Sequence, residues 1–385
     1  MKSKSYRWVV LLVYILAGII SQIMWITFSP ILPIVEEIYN VGDAEVGLLS
    51  AVFPIVFIIL ALPIGYYVDK RGFRKAVLLG SAFFAVFGVL RVFATTFLLL
   101  LIFQTLAAVG QPFIFNSISK LVKSWFPAEE AGLATGLGSI SLFIGTILGL
   151  SLTPVLTVTL GFEKMLLIYG VAAFIVLFLF FILGKEAETE VFEEEYRLKE
   201  YIDVLKNRNV SILSIIAFIG VGIFTAYLTW VEPILEDHGL DVETAGLTAS
   251  ALLFGGIFGS ILIPALSDRA GKRRPFLFVC FALSAVLFYI HTLTFGVIML
   301  AVVLFILGFF FISALPLALD LSATSVGEKY AGTANSSLWL LSQLGSVLLI
   351  VEFESMARGM NWDSTLMLSA ALLGLSFLLT IFLRE

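Results

Sequence analysis

The chain consists of long apolar runs separated by short polar loops, and twelve such runs follow one another. Each is about as long as the roughly 20 residues that an α-helix needs to cross about 30 Å of hydrocarbon. The runs are continuously apolar, so helices are favoured over a β-barrel, the other structure that can span a bilayer. The pattern therefore predicts an all-α membrane protein with twelve transmembrane helices, at residues 8–35, 44–67, 74–94, 97–124, 130–156, 162–184, 209–235, 242–266, 274–292, 296–325, 330–356 and 363–383.

Composition supports a membrane protein and argues against several function classes. Hydrophobic residues make up 60% of the chain and charged residues 13%, against about 45–50% and about 25% in soluble domains. The single cysteine, Cys280, excludes an intramolecular disulfide and a cysteine-based metal site. The two histidines, His238 and His291, lie far apart in the sequence, so a histidine-pair metal site is not expected either. No nucleophile–base set and no G-x-x-x-x-G-K-[ST] loop occurs, so neither an enzyme nor an ATP-driven pump is predicted. No cofactor, metal or nucleic-acid partner is expected.

The distribution of lysine and arginine predicts the orientation of the chain. With an even number of spans, both termini share one side of the membrane. Of the 23 basic residues, 20 fall on that side, and only Arg91, Lys164 and Arg358 fall on the other. Because cytoplasmic loops carry the excess of basic residues, we expect a multi-pass protein of the cell membrane with both termini in the cytoplasm.

A charged motif occurs twice, each time in the loop between two spans. The first copy runs from Gly65 to Lys75, and the second runs from Pro264 to Arg274, where proline replaces the first glycine. Three positions recur at a constant offset of 199: Asp69 and Asp268, Gly72 and Gly271, and Lys75 and Arg274. The candidate gating residues of the two copies are Gly65, Asp69, Lys70, Gly72, Arg74, Lys75, Asp268, Arg269, Gly271, Arg273 and Arg274.

The repeat divides the chain into two six-helix halves, at residues 1–184 and 209–385. The polar stretch 185–208 between them is predicted to be a linker with an amphipathic cytoplasmic helix, because apolar residues recur along it at helical spacing. Parallel repeats related by a pseudo-two-fold axis along the membrane normal are one known transporter plan. Gly145 and Gly149 form a G-x-x-x-G pair that permits close helix contact, which would suit a sliding interface between the halves.

The doubled motif and the six-plus-six plan resemble the major facilitator superfamily across the whole chain. The resemblance implies a rocker-switch transporter, in which the halves rotate about a central site. It also implies a latch: Asp69 would pack against the start of helix 11 and Asp268 against helix 5, each pairing with cations of its own loop. The alternative is that these charges only anchor the topology.

Further motifs resemble the feline leukaemia virus subgroup C receptor group, which is associated with choline, ethanolamine and haem-related transport. They are Gln22–Ser29, Gly110–Phe113, Lys123–Pro127 and the run from Ala131 to Pro154. By this resemblance the helix-1 tryptophan of the group corresponds to Trp25 and its helix-11 glutamine to Gln343. Its helix-5 glutamine falls on Phe143, and its helix-7 tyrosine falls near Thr225 and Tyr227.

The candidate substrate-binding residues are aromatic and amide side chains on helices that line the cavity in this family. A tryptophan face attracts a cation by about 0.5–1 kcal/mol when exposed and about 2 kcal/mol when desolvated, so such a pocket suits an organic cation. Simple packing is the alternative for each residue. The candidates are Trp25, Gln22, Asn116, Tyr227, Trp230, Trp339 and Gln343.

Ionisable residues near mid-depth would indicate proton coupling, and none falls clearly there. Glu232 and Asp320 are the candidates for a coupling role. The sequence therefore favours facilitated diffusion over proton antiport. We predict a monomeric transporter of a small organic solute in the lipid bilayer, with uniport of an organic cation such as choline preferred. The alternatives are a proton-coupled drug or metabolite exporter and a non-transporting membrane receptor, although a receptor would need a sizeable soluble domain.

Overall fold

The structure is a computed structural model that describes residues 5–186, 204, 206–327, 330–359 and 361–384. Within these ranges, the side chains at positions 69, 128, 129, 131, 132, 331 and 332 are not described. The predicted amphipathic helix of the linker lies outside the described residues. The chain forms two compact units, Met1–Glu194 and Glu195–Glu385.

The described residues of the N-terminal unit, 5–186, form nine α-helices. Short 3-10 segments occur at Ser29–Ile31 and Arg91–Phe93. The helices are α1 (Tyr6–Ile26), α2 (Leu32–Tyr39), α3 (Asp43–Arg71), α4 (Phe73–Leu90), α5 (Phe97–Ala108), α6 (Gly110–Phe115), α7 (Ser117–Trp125), α8 (Ala128–Leu160) and α9 (Phe162–Leu183).

The C-terminal unit contains eight α-helices in the part of it that the structure describes. They are α10 (Arg208–Thr229), α11 (Val231–Glu236), α12 (Val242–Ala270), α13 (Arg274–Thr292), α14 (Val297–Phe311), α15 (Ala314–Val326), α16 (Ala331–Gly359) and α17 (Trp362–Thr380).

Twelve described segments are long and apolar enough to cross a membrane, which confirms the predicted span count. The first span extends to Tyr39, further than predicted, and the seventh predicted span divides into α10 and α11. The ends of the spans that carry the two charged motifs are called the motif end below, and the other ends are called the opposite end.

Four spans are broken, and the breaks recur in both units. The first span is interrupted before α2, the fourth at both ends of α6, the seventh at Trp230 and the tenth after α14. A proline lies at or next to each of these breaks, where a residue without an N–H cannot continue the helical hydrogen-bond pattern. These prolines are Pro30, Pro112, Pro233 and Pro316. At the first break the buried hydroxyls of Ser29 and Ser50 lie 2.9 Å apart and share a hydrogen bond between the first and second spans.

The same helix pairs form the core of each unit. In the N-terminal unit α1 packs on α8, and α4 packs on α9; in the C-terminal unit α10 packs on α16, and α13 packs on α17. These are the first with the fifth span and the third with the sixth, repeated as the seventh with the eleventh and the ninth with the twelfth. The contacts therefore support an internal duplication independently of the motif.

Glycines allow the closest of these contacts. A Cβ atom on Gly145 would lie 2.5 Å from the Ile19 carbonyl oxygen of α1, and one on Gly345 would lie 2.1 Å from the Phe218 carbonyl oxygen of α10. Gly149 also faces α1, at Ile26. The G-x-x-x-G pair thus packs two helices of one half together, and our interpretation of it as an interface between the halves was wrong.

Candidate functional site

Trp25 and Gln22 lie on one face of α1, one helical turn apart. Both side chains are buried, and Thr146 of α8 donates a hydrogen bond to Gln22 Oε1 (3.3 Å). The indole Nε1 of Trp25 has no hydrogen-bond partner among the described residues. A buried donor without an acceptor costs about 1–3 kcal/mol, and binding of a solute by Trp25 remains a prediction.

Asn116 lies between α6 and α7, and its side chain connects two spans. Its Nδ2 donates to the Ala61 carbonyl of α3 (2.9 Å). A Cβ atom on Gly65 would lie 3.7 Å from the same Nδ2, an ordinary contact, so Gly65 is not needed for a close approach here. One amide hydrogen of Asn116 is therefore engaged within the unit, and binding of a solute remains a prediction for its oxygen.

Three polar or aromatic residues share one face of α16 at a spacing of four: Asn335, Trp339 and Gln343. Gln343 is buried and Trp339 is half-buried. The Oδ1 atom of Asn335 is buried and has no hydrogen-bond partner in the described part of the chain. The sequence also indicates Asn335 as a hydrogen-bonding group of this span, and its spacing places it on the helical face of Trp339 and Gln343.

Tyr227 and Trp230 are buried in the packing of the C-terminal unit. The Tyr227 hydroxyl lies 3.0 Å from His291 Nε2, and Trp230 Nε1 donates to the Ile350 carbonyl of α16 (2.9 Å). Trp230 also packs against Trp362, with ring centroids 5.4 Å apart. Their polar atoms already have partners within the unit, which favours the packing alternative for both residues.

The two candidate coupling carboxylates lie in different settings. Glu232 is buried at the start of α11, just after the break in the seventh span. Asp320 of α15 accepts a hydrogen bond from Arg273 Nε (2.5 Å) of the second motif copy. Asp320 is therefore engaged by an arginine of the second motif copy, whereas Glu232 remains a candidate for coupling.

In the first motif copy, Arg74 connects the start of α4 with the end of α9. Its guanidinium donates to the carbonyls of Gly184 and Phe181, the latter at 3.1 Å. These carbonyls lie in and just after the last helical turn, where no backbone N–H of the helix is available to them. Lys70 is exposed with Nζ 5.6 Å from the centroid of the Tyr66 ring, and Lys75 is exposed. The Asp69 side chain lies outside the described residues, so its latch role remains a prediction.

Glu186, the first acidic residue of the linker, fills a niche at Gly72. Gly72 has φ +87° and ψ 157°, which is a conformation almost restricted to glycine. The Glu186 carboxylate accepts a hydrogen bond from the Arg74 backbone N–H (3.0 Å) at the positive end of α4. Burial raises the pKa of this carboxyl, although the bond from Arg74 and the charge of Lys120 oppose the rise. The sequence did not predict this contact.

The second motif copy forms its own ion-pair network. Arg273 donates to the carboxylates of Asp268 and Asp320, and its Nη1 donates to Ser267 Oγ (3.0 Å). These hydrogen bonds and charges raise the pKa of Arg273, with the bond to Asp320 as the main cause. Gly271 ends α12 in the left-handed conformation with φ +63°, and Arg269 is exposed.

Residues that make equivalent contacts in the two motif copies are not all separated by the constant offset of 199. Arg274 donates to the carbonyls of Thr380 (3.0 Å) and Ile381 (2.6 Å) at the end of α17. This is the role that Arg74 plays at the end of α9, so the structural counterpart of Arg274 is Arg74 and not Lys75. The reason is the loop length: Gly72 alone separates α3 from α4, whereas three residues separate α12 from α13.

At the opposite end of the N-terminal unit, Arg91 is fully buried. Its guanidinium donates to Gln104 Oε1 (2.9 Å), contacts Met24 and lies over the Phe28 ring. Gln104 in turn donates to backbone carbonyls of α1 and α3. No carboxylate pairs with Arg91 in the part of the chain that the structure describes. Buried charges within spans are rare and usually functional.

At the opposite end of the C-terminal unit, the two histidines lie together, contrary to our expectation from their sequence separation. The ring centroids of His238 and His291 are 4.9 Å apart, and both side chains are buried. Asp363 of α17 lies next to them, with its Oδ1 3.5 Å from His238 Nε2. Within the described ranges, no group of three or more histidine, cysteine or acidic side chains is arranged to hold a metal ion.

Comparison with known proteins gives matches along almost the whole chain. A sequence model described as Major Facilitator Superfamily matches residues 14–350. A protein of Archaeoglobus fulgidus, described as uncharacterized, is 75% identical over 57% of this chain and 100% of its own length. The choline/ethanolamine transporter FLVCR1 of Mus musculus is 27% identical over 92% of this chain and 69% of its own length. The probable sulfoacetate transporter SauU of Cupriavidus necator is 25% identical over 98% of this chain and 94% of its own.

A solved structure has the same fold. It is the crystal structure of a bacterial homolog of the human lysosomal transporter Spinster, in an inward-facing and unoccupied conformation. The TM-score is 0.82 at 16% sequence identity, and the match covers 99% of this chain and 97% of the other. The predicted twelve-helix fold is thereby confirmed.

Proposed function

Because the chain belongs to the Major Facilitator Superfamily, we propose that it carries a small organic cation of the choline type across the membrane by uniport. Transport would follow alternating access, in which one site opens to either side in turn. The protein is a multi-pass membrane protein whose named relatives are transporters. We propose that it acts as a monomer.

The observation that supports this proposal best is the state of Trp25. Its ring is buried on α1, and its N–H has no acceptor in the described part of the unit. An indole offers an ammonium group its ring face and offers a hydroxyl its N–H. Choline and ethanolamine carry both groups. A likeness to a choline/ethanolamine transporter over 92% of the chain supports the same solute class.

The proposal is tested by uptake of labelled choline into proteoliposomes without an imposed pH gradient. Desolvated cation–π contact is worth about 2 kcal/mol, so Trp25→Ala should raise the Kd for choline about 30-fold. Trp25→Phe keeps a ring face and loses the N–H, so its Kd should lie between those of the wild type and the alanine variant. An unchanged affinity in Trp25→Ala would remove Trp25 from the site.

Trp362→Phe is the matched control, because Trp362 packs against Trp230 at the opposite end of the C-terminal unit. This change should lower thermal stability and leave the Kd of the folded protein unchanged. An equal loss of affinity in both variants would mean that Trp25→Ala acts through folding.

Proton-coupled export of a metabolite is the second candidate. It is favoured by Glu232, a buried ionisable group beside the break between α10 and α11. A relative described as a probable sulfoacetate transporter indicates that organic anions occur among the solutes of similar proteins. Uptake that strictly requires a pH gradient, and that Glu232→Gln abolishes, would support this candidate over uniport.

A further inference from the structure

His238 lies in a site where both ring nitrogens face oxygen atoms. Its Nδ1 is 2.8 Å from the Ile234 carbonyl oxygen, and its Nε2 is 3.2 Å from the His291 carbonyl oxygen. A carbonyl oxygen can only accept a hydrogen bond. A neutral imidazole has one donor and one acceptor nitrogen, whereas the imidazolium ion has two donors. Only the protonated ring satisfies both contacts at once.

A counterion lies beside this ring. Asp363 Oδ1 is 3.5 Å from His238 Nε2, and this oxygen is buried and accepts no hydrogen bond from any described residue. Asp363 lies in the first turn of α17, where the positive end of the helix favours a carboxylate. Asp363 Oδ1 therefore lacks a hydrogen-bond donor, and the His238 ring next to it gains an N–H donor when it binds a proton.

His291 completes the arrangement as the neutral member. Its Nε2 shares a hydrogen bond with the Tyr227 hydroxyl (3.0 Å), and its Nδ1 has no partner among the described residues. Two imidazolium rings 4.9 Å apart would repel each other, so one proton at His238 disfavours a second at His291.

The charged residues next to His238 in the sequence, and those at the starts of α12 and α17, are acidic. Hydrogen bonds from the Thr244 backbone and side chain hold the pKa of Asp241 below its usual range, so this carboxylate is ionised. His238 also stacks on Phe295, which covers one face of the ring. The acidic groups of its own segment, of the start of α12 and of α17 are Glu232, Glu236, Asp237, Asp241, Glu243 and Asp363.

We propose that His238 and Asp363 form a proton-binding site at the opposite end of the C-terminal half. Bound to His238, the proton would tie the segment after α11 to the end of α13 and the start of α17. The lysine and arginine distribution predicts that this end faces outward, so the site would sense the pH outside the cell. The proposal does not depend on the transported solute, since every group in it belongs to one half.

The chain has only two histidines, so protein labelled with ¹⁵N-histidine and purified without a histidine tag gives a direct test. Between about pH 8 and about pH 5.5, where imidazole ordinarily titrates, the signals of one ring should become those of imidazolium, and the other ring should stay neutral. His238→Gln should remove the titrating signal, and Asp363→Asn should shift its titration to lower pH. A neutral His238 throughout this range would overturn the proposal.

Thermal unfolding provides the second measurement. Protonation adds interactions in the folded state alone, so the unfolding midpoint of the wild type, relative to that of Asp363→Asn, should rise as the pH falls and decline as the pH rises again. Asp237→Asn is the matched control, because it removes an equal charge from an exposed neighbour of His238; solvent screens this charge, so its pH response should stay much closer to that of the wild type than the response of Asp363→Asn does. An equal pH response in the wild type and in Asp363→Asn would contradict the proposal, whether or not choline is transported.

Discussion

Replacing Gly72 with alanine would put a methyl group where the Glu186 carboxylate now lies. The added Cβ would be 2.7 Å from the carboxyl carbon and Oε2 of Glu186, and 2.8 Å from Oε1. The backbone at φ +87° and ψ 157° is also unfavourable for alanine. The substitution therefore perturbs the motif loop twice, through its backbone and through the linker residue docked on it.

The expected loss follows from these two effects. A residue with a side chain in this backbone region is strained by about 1–3 kcal/mol. Glu186 is long and flexible, so it would move away instead of clashing, and its hydrogen bond from the Arg74 N–H would be lost. A typical hydrogen bond contributes about 0.5–1.5 kcal/mol net, and the half-exposed position puts this one at the lower end. Gly72→Ala should therefore lower the free energy of unfolding by about 1.5–3.5 kcal/mol.

Gly271→Ala is the matched control in the second motif copy. Gly271 lies in the left-handed helical region, and no atom lies within 4 Å of a Cβ placed there. Alanine in this conformation costs about 1–2 kcal/mol. Equilibrium unfolding in detergent should thus rank Gly72→Ala as more destabilising than Gly271→Ala.

A double-mutant cycle separates the two effects. In a Glu186→Ala background, Gly72→Ala should lose only the backbone strain, so the two changes should be non-additive. A loss from Gly72→Ala no larger than that from Gly271→Ala, or strict additivity with Glu186→Ala, would refute the docking of Glu186 on this loop.

Two further predictions concern the N-terminal half. Since burial raises the pKa of Glu186, its contribution to stability should be complete below the unfolded value of about 4.3 and be lost as the pH rises through the folded pKa. Glu186→Gln cannot ionise and should lose less stability than the wild type between about pH 4 and about pH 7; equal losses would contradict this. Gly145→Ala should lower the free energy of unfolding by about 1–3 kcal/mol by separating α1 from α8, whereas Gly136→Ala, with open space around its Cβ, should be neutral or stabilising by up to about 1 kcal/mol. Similar effects of the two alanines would exclude the α1–α8 contact as the reason.

The spans could be predicted because each segment must by itself be long and apolar enough to cross the bilayer. A run of apolar residues indicates its own helix without knowledge of the rest of the fold. The breaks in the spans were also visible in the sequence, as Pro30, Pro112, Pro233 and Pro316, but the prediction treated these runs as continuous. Trp25 was identified by resemblance, and the structure adds a property that the sequence could not give, the lack of an acceptor for its N–H.

The contacts that sequence reasoning missed are those between distant segments. Glu186 docks on Gly72, and His238 lies against His291, although neither pair is close in the chain. Such contacts depend on which helices pack together, and hydropathy does not determine helix partners. The G-x-x-x-G pair shows the same limit: its spacing indicated a close helix contact, but only the fold identifies α1 as the partner.

The two halves share the same helix packing but carry different charged residues at corresponding positions. Gly145 and Gly345 make equivalent helix contacts at an offset of 200, and Arg74 and Arg274 donate to equivalent helix ends. At the same offset, Lys120 of the first half corresponds to Asp320 of the second. Among the described side chains, Glu186 of the linker brings a carboxylate to the first motif, where it accepts from the Arg74 backbone N–H, whereas Asp320 of α15 pairs with Arg273 in the second.

The opposite ends diverge in the same way. Arg91 and His291 lie 200 residues apart in the sequence, at the ends of the third and ninth spans. Each contacts the broken span of its own half, Arg91 at Met24 and His291 at Tyr227. Arginine is charged at every physiological pH, whereas His291 is the neutral member of the proposed proton-binding site. The position that carries a fixed charge in the first half is therefore occupied in the second half by the neutral neighbour of His238. The two halves thus place a permanent charge and a neutral imidazole at corresponding positions of the same helix packing, so the opposite ends of the two units differ in their electrostatics.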